Sequence, residues 1–336
     1  MKLNPIFSSN MVFAAGKGIL IYGTGKGKAY IDFAGHTKTV VSDGEEWYAE
    51  FPAMQYGGPY ELTCSFEDEE IQLVNIYVGE VFLFAGQSNV EFKMWESSAP
   101  QSLYQPNDQL RLFSADKIDV GDRFKAKDGW VPCRLDNIKD WSALGYLAGS
   151  ELARDRNIAV GIIACYQGSS SIESWLPKGT YARIGINLKD EEKHPGYFYN
   201  EPLSWHYASS LYSFALAQVF PFPVSAVVWY QGEGNTSPKE GKVYIKALTE
   251  FIKICRDDFR CPDLPFVIVQ ISDYSARNDE GWRAVQKAQE DVQDMLPFVK
   301  TVISADVCED DNIHPKTKHH LANRISQALE TFLDAT

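Results

Sequence analysis

From Tyr77 to the end of the chain, short apolar runs alternate with segments of helical spacing. The runs are VFLFA (81–85), IAVGIIAC (158–165), SAVVWY (225–230), FVIVQI (266–271) and KTVISA (300–305). Near-continuous apolar runs are typical of strands buried on both faces of a parallel sheet. Helical patterns at 203–219, 239–256, 282–295 and 316–332 would supply the crossovers. The pattern predicts an α/β fold with a doubly wound, flavodoxin-like, five-stranded parallel sheet over residues 77–336.

The chain before this point has a different pattern. Its short segments alternate between apolar and polar residues and are separated by glycine-rich turns: ILIYG, KAYIDFAG, WYAEFP, GPYELTCSF and EIQLVNIYV. This pattern predicts a small, antiparallel, sandwich-like β domain over residues 1–76. The glycines at 23, 25 and 27 precede no Gly-Lys-Ser/Thr signature, so they predict a hairpin turn and not a nucleotide loop.

Composition and charge limit the kinds of partner that the chain can bind. The 336 residues are 45% hydrophobic and carry a net charge of −13, which is globular composition without a basic surface for nucleic acid. No window has the ~20 apolar residues that cross a bilayer, and the start lacks the apolar core of a secretory signal. We therefore expect a cytoplasmic protein with no membrane partner, and a homo-oligomer is left open. The six cysteines show no CxxC spacing, which indicates free thiols and no metal site.

Candidate chemistry lies where the predicted strands end. A parallel sheet binds its ligand at the carboxyl ends of its strands. Four of the five exits carry unusual sequences, namely GQSN (86–89), QGSSSIESW (167–175), QGEGN (231–235) and DVCEDDNIHP (306–315). These exits are expected to converge on one pocket.

The four exits together contain the parts of a serine hydrolase. Ser88 needs a base to remove its proton, and His314 has a side chain suited to that task near neutral pH. Asp311, three residues earlier, is placed to orient the imidazole. The Ser88 N–H, the Gly168 N–H and the side-chain amide of Asn235 would bind the oxyanion.

Taken singly, each of these residues has a simpler interpretation. Ser88 is a good helix N-cap, His314 an ordinary loop histidine, and Gly168 and Asn235 turn residues. Their joint occurrence at strand exits favours catalysis. Five neighbouring residues are candidates for substrate contact, with a core position as the alternative for the tryptophan: Gln87, Glu173, Trp175, Gln231 and Glu233. The acidic run 309–311 lacks the spacing of a calcium loop, so neither a metal nor a cofactor is expected.

The blocks GQSN, GSSSIESW, WYQGEGN and DNIHP, in this order, resemble the SGNH hydrolase superfamily and, within it, the sialate O-acetylesterase-like carbohydrate esterases. GGPYEL (57–62) and WRAVQKAQ (282–289) resemble further family segments. The resemblance implies that Ser88 is the nucleophile, His314 the base, Asp311 its orienting carboxylate, and Gly168 and Asn235 oxyanion donors.

The chain also departs from the family pattern. Val90 stands where methionine is common, Ser169 and Ser170 where Gly-Thr is usual, and Gly234 where serine is usual. The segment 177–202 is too short for the domain that long family members insert there. None of these changes removes a proposed catalytic atom, but each alters the surroundings of the pocket.

The resemblance implies a serine esterase that removes O-acetyl groups from a carbohydrate through an acetyl-serine intermediate. O-acetylated sialic acid is the favoured small substrate. Acetylated xylan, xylo-oligosaccharides or another small acetylated sugar are the alternatives, and a non-catalytic carbohydrate-binding protein is more remote. Activity is expected to rise with pH through a histidine in the range ~6.5 to 7.

Overall fold

The computed structural model describes residues 1–67, 69–118, 129–189 and 203–335. The strands of these ranges belong to one continuous sheet, which is antiparallel near the N-terminus and parallel in the α/β part. The mixed α/β class predicted from the sequence is confirmed.

The N-terminal strands pair mainly in antiparallel fashion. Their bounds are β1 Lys2–Leu3, β2 Val12–Ala14, β3 Ile19–Phe33, β4 His36–Phe51, β5 Gly57–Ser65 and β6 Glu70–Gly86. β3 lies between β4 and β5, β5 pairs with β6, and the short β2 runs parallel to β6.

The hairpin turn predicted at the glycines 23–27 is wrong. Gly25 and Gly27 lie inside β3 with φ values of 106° and 135°, and the register against β4 shifts between Thr24 and Lys26. This irregularity is a β-bulge, which needs the backbone freedom of glycine just as a turn does. The chain reverses later, at Ala34 and Gly35, where both residues have positive φ.

β6 joins the two parts of the sheet. Its first half pairs with β5, and its second half, from Glu80 to Gly86, pairs in parallel with the strands described next. The predicted domain boundary at 76/77 therefore falls inside one continuous strand. The division into domains 1–76 and 77–336 stays a prediction.

The parallel part has six strands, one more than predicted. Besides β6 it contains β7 Asn107–Ser114, β9 Val160–Tyr166, β10 Ala226–Tyr230, β11 Phe266–Val269 and β12 Val299–Val302, with β8 Val131–Cys133 antiparallel at the edge. The order across the sheet is β7–β9–β6–β10–β11–β12. β7 was missed because its first residues, Asn107 to Gln109, are polar and only its second half is buried.

The helices are α1 Ser88–Glu91, α2 Ala143–Arg156, α3 Thr180–Arg183, α4 Ser210–Phe214, α5 Pro238–Asp258, α6 Glu280–Met295 and α7 His319–Leu333. The helical patterns at 239–256, 282–295 and 316–332 are confirmed by α5, α6 and α7. The pattern at 203–219 is not one helix but α4 flanked by single 3₁₀ turns at 204–206 and 216–218.

Capping side chains fix where two of these helices begin. The Ser237 hydroxyl accepts from the Glu240 N–H, and Pro238 occupies the first helical position of α5. The Asp279 carboxylate accepts from the Gly281 and Trp282 N–H groups at the start of α6. The loops that follow β10 and β11 are thus held at both ends by regular structure.

All six cysteines are free thiols, as predicted. In the described ranges, no helix has both the length and the apolar character needed to span a bilayer. The same ranges contain no group of three or more His, Cys, Asp or Glu side chains placed to hold a metal ion.

Candidate active site

A cavity of about 610 Å³ opens beside the carboxyl ends of β6 and β9. Ser88 and His314 both line it, as the strand-exit argument predicts. Its wall carries charged residues (Glu91, Lys93, Glu96, Lys117 and Asp140) and aromatic residues (Phe92, Trp95, Trp141 and Tyr166). This volume and mixed lining suit a small polar ligand.

Ser88 is placed by a close approach of two strands. At the end of β6, Gly86 has a φ of 137°, and a Cβ there would lie 2.1 Å from the Tyr230 carbonyl oxygen of β10. Only glycine fits at this point. The Gln87 N–H then donates to the same Tyr230 oxygen at 3.0 Å, and α1 begins at Ser88. The serine therefore starts a helix directly beyond the sheet edge.

Ser88 and His314 are in hydrogen-bond contact. The Ser88 Oγ and the His314 Nε2 are 2.8 Å apart, although 226 residues separate them in the chain. The His314 N–H donates to the Asn312 Oδ1 at 2.9 Å, and the buried Pro315 follows. The histidine is thus held within a tight turn and directed at the serine.

Burial lowers the pKa of His314, and the positive charge of Lys318 lowers it further, while the carboxylates of Glu96 and Glu91 oppose the shift. The imidazole is therefore neutral at neutral pH and can accept a proton. The direction of this shift moves the expected rise of activity below the ordinary histidine range.

Asp311 is not brought to His314. Its side chain is exposed, and within the described residues no hydrogen bond joins it to the imidazole. The orienting role expected for Asp311 stays a prediction.

Of the two further oxyanion donors predicted, the structure places one beside the serine. A Cβ on Gly168 would lie 3.8 Å from the Ser88 Cβ, so the two residues are neighbours. Among the described residues, neither the Ser88 N–H nor the Gly168 N–H has a hydrogen-bond partner in the protein. Two backbone donors are therefore available next to the hydroxyl.

Asn235, the other predicted donor, is 1% exposed and does not line the cavity. Its Oδ1 accepts from the Ile172 N–H and the Gln231 Nε2, and its Nδ2 donates to Glu240 at 3.1 Å. The amide is engaged in holding loops together. Among the described residues no hydrogen bond joins it to Ser88, and its role as an oxyanion donor stays a prediction.

The substrate contacts predicted for Gln87, Trp175, Gln231 and Glu233 do not fit the structure. These side chains are 3%, 0%, 0% and 3% exposed and lie outside the cavity wall. The Gln87 Oε1 accepts from the Gly232 N–H at 3.2 Å, and the Trp175 Nε1 donates to the Ser170 Oγ at 2.9 Å. They stabilise the loops from behind.

Glu173 lies at a different place again. It lines a separate cavity of about 220 Å³, together with Leu176, Tyr181 and other residues of the α3 region. The predicted contact of Glu173 with a substrate at Ser88 therefore does not fit either.

Sequence reasoning missed several residues of the cavity wall. Glu91 and Lys117 form an ion pair at 2.5 Å, and the Lys93 Nζ donates to the Tyr166 hydroxyl at 2.7 Å. Trp95 is 62% exposed at the cavity. The signal was the segment EFKMWE immediately after the nucleophile, because a helix that begins at Ser88 keeps the next residues near the sheet edge.

A family model described as "Carbohydrate esterase, sialic acid-specific acetylesterase" matches residues 78–330. Human sialate O-acetylesterase is 23% identical over 321 residues, covering 85% of this chain and 60% of that protein. The mouse sialate O-acetylesterase is 22% identical over 344 residues, covering 85% and 63%. The chain thus spans about three fifths of the length of these curated relatives.

The solved structure of a carbohydrate acetylesterase from Xanthomonas citri superposes with a TM-score of 0.85 at 25% sequence identity. The match covers 100% of this chain and 76% of that one. Both the antiparallel N-terminal strands and the parallel part are therefore included in the similarity.

Proposed function

The chain belongs to the family of sialic acid-specific acetylesterases among the carbohydrate esterases, and we propose that it removes O-acetyl groups from a sugar as a serine carboxylic ester hydrolase. The observation that carries this proposal is the 2.8 Å contact between the Ser88 Oγ and the His314 Nε2 in the wall of a 610 Å³ cavity. A doubly wound, flavodoxin-like sheet would present both residues at the carboxyl ends of its strands.

The reaction proceeds in two halves. The neutral His314 takes the hydroxyl proton as the Ser88 Oγ attacks the acetyl carbonyl, and the developing oxyanion accepts from the Ser88 and Gly168 N–H groups. The protonated imidazole then donates to the sugar oxygen, which leaves as an alcohol. Water, deprotonated by His314, attacks the acetyl-serine, and acetate departs as Ser88 regains its proton.

O-acetylated sialic acid is the first candidate substrate. The family description and the names of the mammalian relatives support it. The anionic sugar would enter a cavity that contains two lysines, Lys93 and Lys117. The cytoplasmic location expected from the sequence stays a prediction, and a homo-oligomer stays open.

A neutral acetylated sugar, such as a xylo-oligosaccharide, is the second candidate. The cavity wall carries three carboxylates against two ammonium groups, and Glu91 already pairs with Lys117. An excess of acidic side chains disfavours an anionic ligand and leaves a neutral one unaffected.

Acetate release separates these substrates. Purified protein is incubated with O-acetylated sialic acid and, in parallel, with acetylated xylo-oligosaccharides, using Ser88→Ala as the blank. We expect turnover of at least one substrate by the natural chain and a loss of about 10⁴-fold or more in kcat for the variant, whose melting temperature should be unchanged. Full activity of Ser88→Ala would refute the assignment.

The pH dependence provides a second measurement. Because the base must be neutral and its pKa is lowered, kcat/KM should rise with pH to a plateau whose midpoint lies below the ordinary histidine value. A midpoint above that value would contradict the placement of His314 as the base.

A further inference from the structure

A buried polar cluster lies directly behind the nucleophile. Asn89, Glu233 and Lys318 are 1%, 3% and 0% exposed, and they lie in the segments that follow β6, β10 and β12 respectively. We call these three residues the Asn89 clamp. None of them lines the cavity, so their role is not contact with the substrate.

The hydrogen bonds of the clamp fix one orientation of the Asn89 amide. Its Nδ2 donates to the Glu233 Oε1 at 2.5 Å and to the Ile313 carbonyl oxygen at 2.9 Å. Its Oδ1 accepts from the Lys318 Nζ at 2.7 Å. A rotated amide would direct its NH₂ group at an ammonium and its oxygen at a carboxylate, so the observed orientation is strongly favoured.

The position of the clamp in the chain explains what it holds. Asn89 directly follows Ser88, and Ile313 directly precedes His314. The bond from the Asn89 side chain to the Ile313 carbonyl therefore joins the residue after the nucleophile to the backbone before the base. Asp311, exposed and without a bond to the imidazole among the described residues, provides no such connection.

We propose that Asn89, held by Lys318 and Glu233, positions His314 against Ser88 through the Ile313 backbone, and so takes over the orienting part of the task that a carboxylate performs in a serine triad. This proposal rests on the proposed function, because it assigns positioning residues to the same serine–histidine pair.

Lys318 has a second effect on the base. It is fully buried with its Nζ 4.9 Å from the centre of the Phe92 ring, and burial lowers its pKa to about 8, so it is charged at neutral pH. Its positive charge lowers the pKa of His314, whereas the negative charges of Glu91 and Glu96 raise it. The cavity wall adds Lys93, Lys117, Asp140 and Tyr166 to the groups around the imidazole.

Burial of these charges is costly, which indicates a role other than stability. In the described part of the chain the Glu233 Oε2 has no hydrogen-bond partner, although it is buried. Lys318 and Glu233 each bond to Asn89 and form no ion pair with each other among the described residues. Removing one of two opposite buried charges leaves the other uncompensated, whereas replacing both by neutral groups of similar volume is often tolerated. A Glu233→Gln/Lys318→Met double variant is therefore expected to fold.

The experiment measures kcat, KM and the pH midpoint of kcat/KM for Asn89→Asp, Lys318→Met, Lys318→Arg and the double variant. Asn89→Asp keeps the shape but loses both donors, so we expect kcat to fall roughly 10- to 100-fold with KM little changed. Lys318→Met and the double variant should lower kcat and move the midpoint upward, because the positive charge near the base is gone. Lys318→Arg keeps the charge and should retain the midpoint.

Lys316→Met is the matched control, since it removes an exposed lysine two residues away on the same loop. It should leave kcat and the midpoint unchanged. Unaltered kcat and midpoint in both Lys318→Met and the double variant would overturn the proposal, as would an equal midpoint shift in Lys316→Met. Full activity of Ser88→Ala would instead overturn the proposed function. If Lys318→Met fails to fold, the double variant gives the same test.

Discussion

The cavity wall and the layer behind it both contain residues of the motif segments, yet these residues differ in exposure and in hydrogen bonding. At the cavity, Ser88 and His314 contact each other, and the Ser88 N–H has no partner among the described residues. Behind it, Gln231 and Asn235 are 0% and 1% exposed, and their amides bond to neighbouring loops. A motif residue thus either lines the cavity or supports the residues that line it, and its position in the fold decides which.

The largest expected loss of activity follows from a substitution of His314, which lines the cavity. His314→Ala removes the proposed base while leaving the buried layer intact, so kcat should fall about 10³- to 10⁴-fold. The melting temperature should stay within the range of a surface substitution, since the imidazole is only partly buried. Initial-rate assays with an acetyl ester measure kcat, and thermal unfolding measures the melting temperature. A large loss of stability with little loss of kcat would place His314 in the buried layer instead.

A glycine-to-alanine substitution can be compared at the cavity, at Gly168, and in the buried layer behind it, at Gly234. A Cβ on Gly234 would lie 2.4 Å from the Ser170 carbonyl oxygen, whereas one on Gly168 would meet only ordinary contacts at 3.8 Å. Gly234→Ala should therefore destabilise the fold by about 1–3 kcal/mol, and Gly168→Ala by less than ~0.5 kcal/mol. Chemical denaturation measures this difference. Equal stabilities would show that the 231–235 loop can shift and is not a fixed support.

The same division limits what the sequence can predict. Apolar runs locate strands because burial on two faces leaves few polar positions, and strand exits then locate Ser88 and His314. The direction in which an amide such as that of Asn235 points is decided by tertiary hydrogen bonds, which no local pattern encodes. β7 escaped prediction because only the second half of the strand is buried, so its apolar run is short. α2 left no polar stripe to detect, since most of its residues are buried.

Two tryptophans give a finer comparison. Trp175 is 0% exposed and donates to the Ser170 Oγ, whereas Trp95 is 62% exposed at the cavity. Trp175→Phe loses this bond and some packing, so it should destabilise by about 1–3 kcal/mol. Trp95→Phe should leave stability within ~0.5 kcal/mol.

Kinetics on a Trp95→Ala variant tests whether the exposed tryptophan contacts the substrate. If a sugar ring packs on the exposed face of Trp95, Trp95→Ala should raise KM a few-fold (~2- to 5-fold) with kcat little changed. Steady-state kinetics on the sugar substrate, not on a small phenyl ester, shows the effect. An unchanged KM would place the sugar on another part of the wall.

The smallest effect is expected for Asp311, the predicted triad residue that shares no hydrogen bond with His314 among the described residues. A carboxylate bonded to the imidazole typically contributes ~10⁴-fold to kcat in a serine triad, because it fixes the tautomer and stabilises the imidazolium. Asp311 is exposed and shares no hydrogen bond with His314 in the described residues, so Asp311→Asn should lower kcat less than about 3-fold. The exposed Asp311 charge is screened by solvent, so the pH midpoint of kcat/KM should move little, and downward, since a negative charge is lost.

Asp310→Asn, which changes an exposed neighbour, is the matched control. A loss of 100-fold or more in Asp311→Asn alone would mean that the loop closes onto the histidine during turnover and that the exposed position belongs to the resting enzyme.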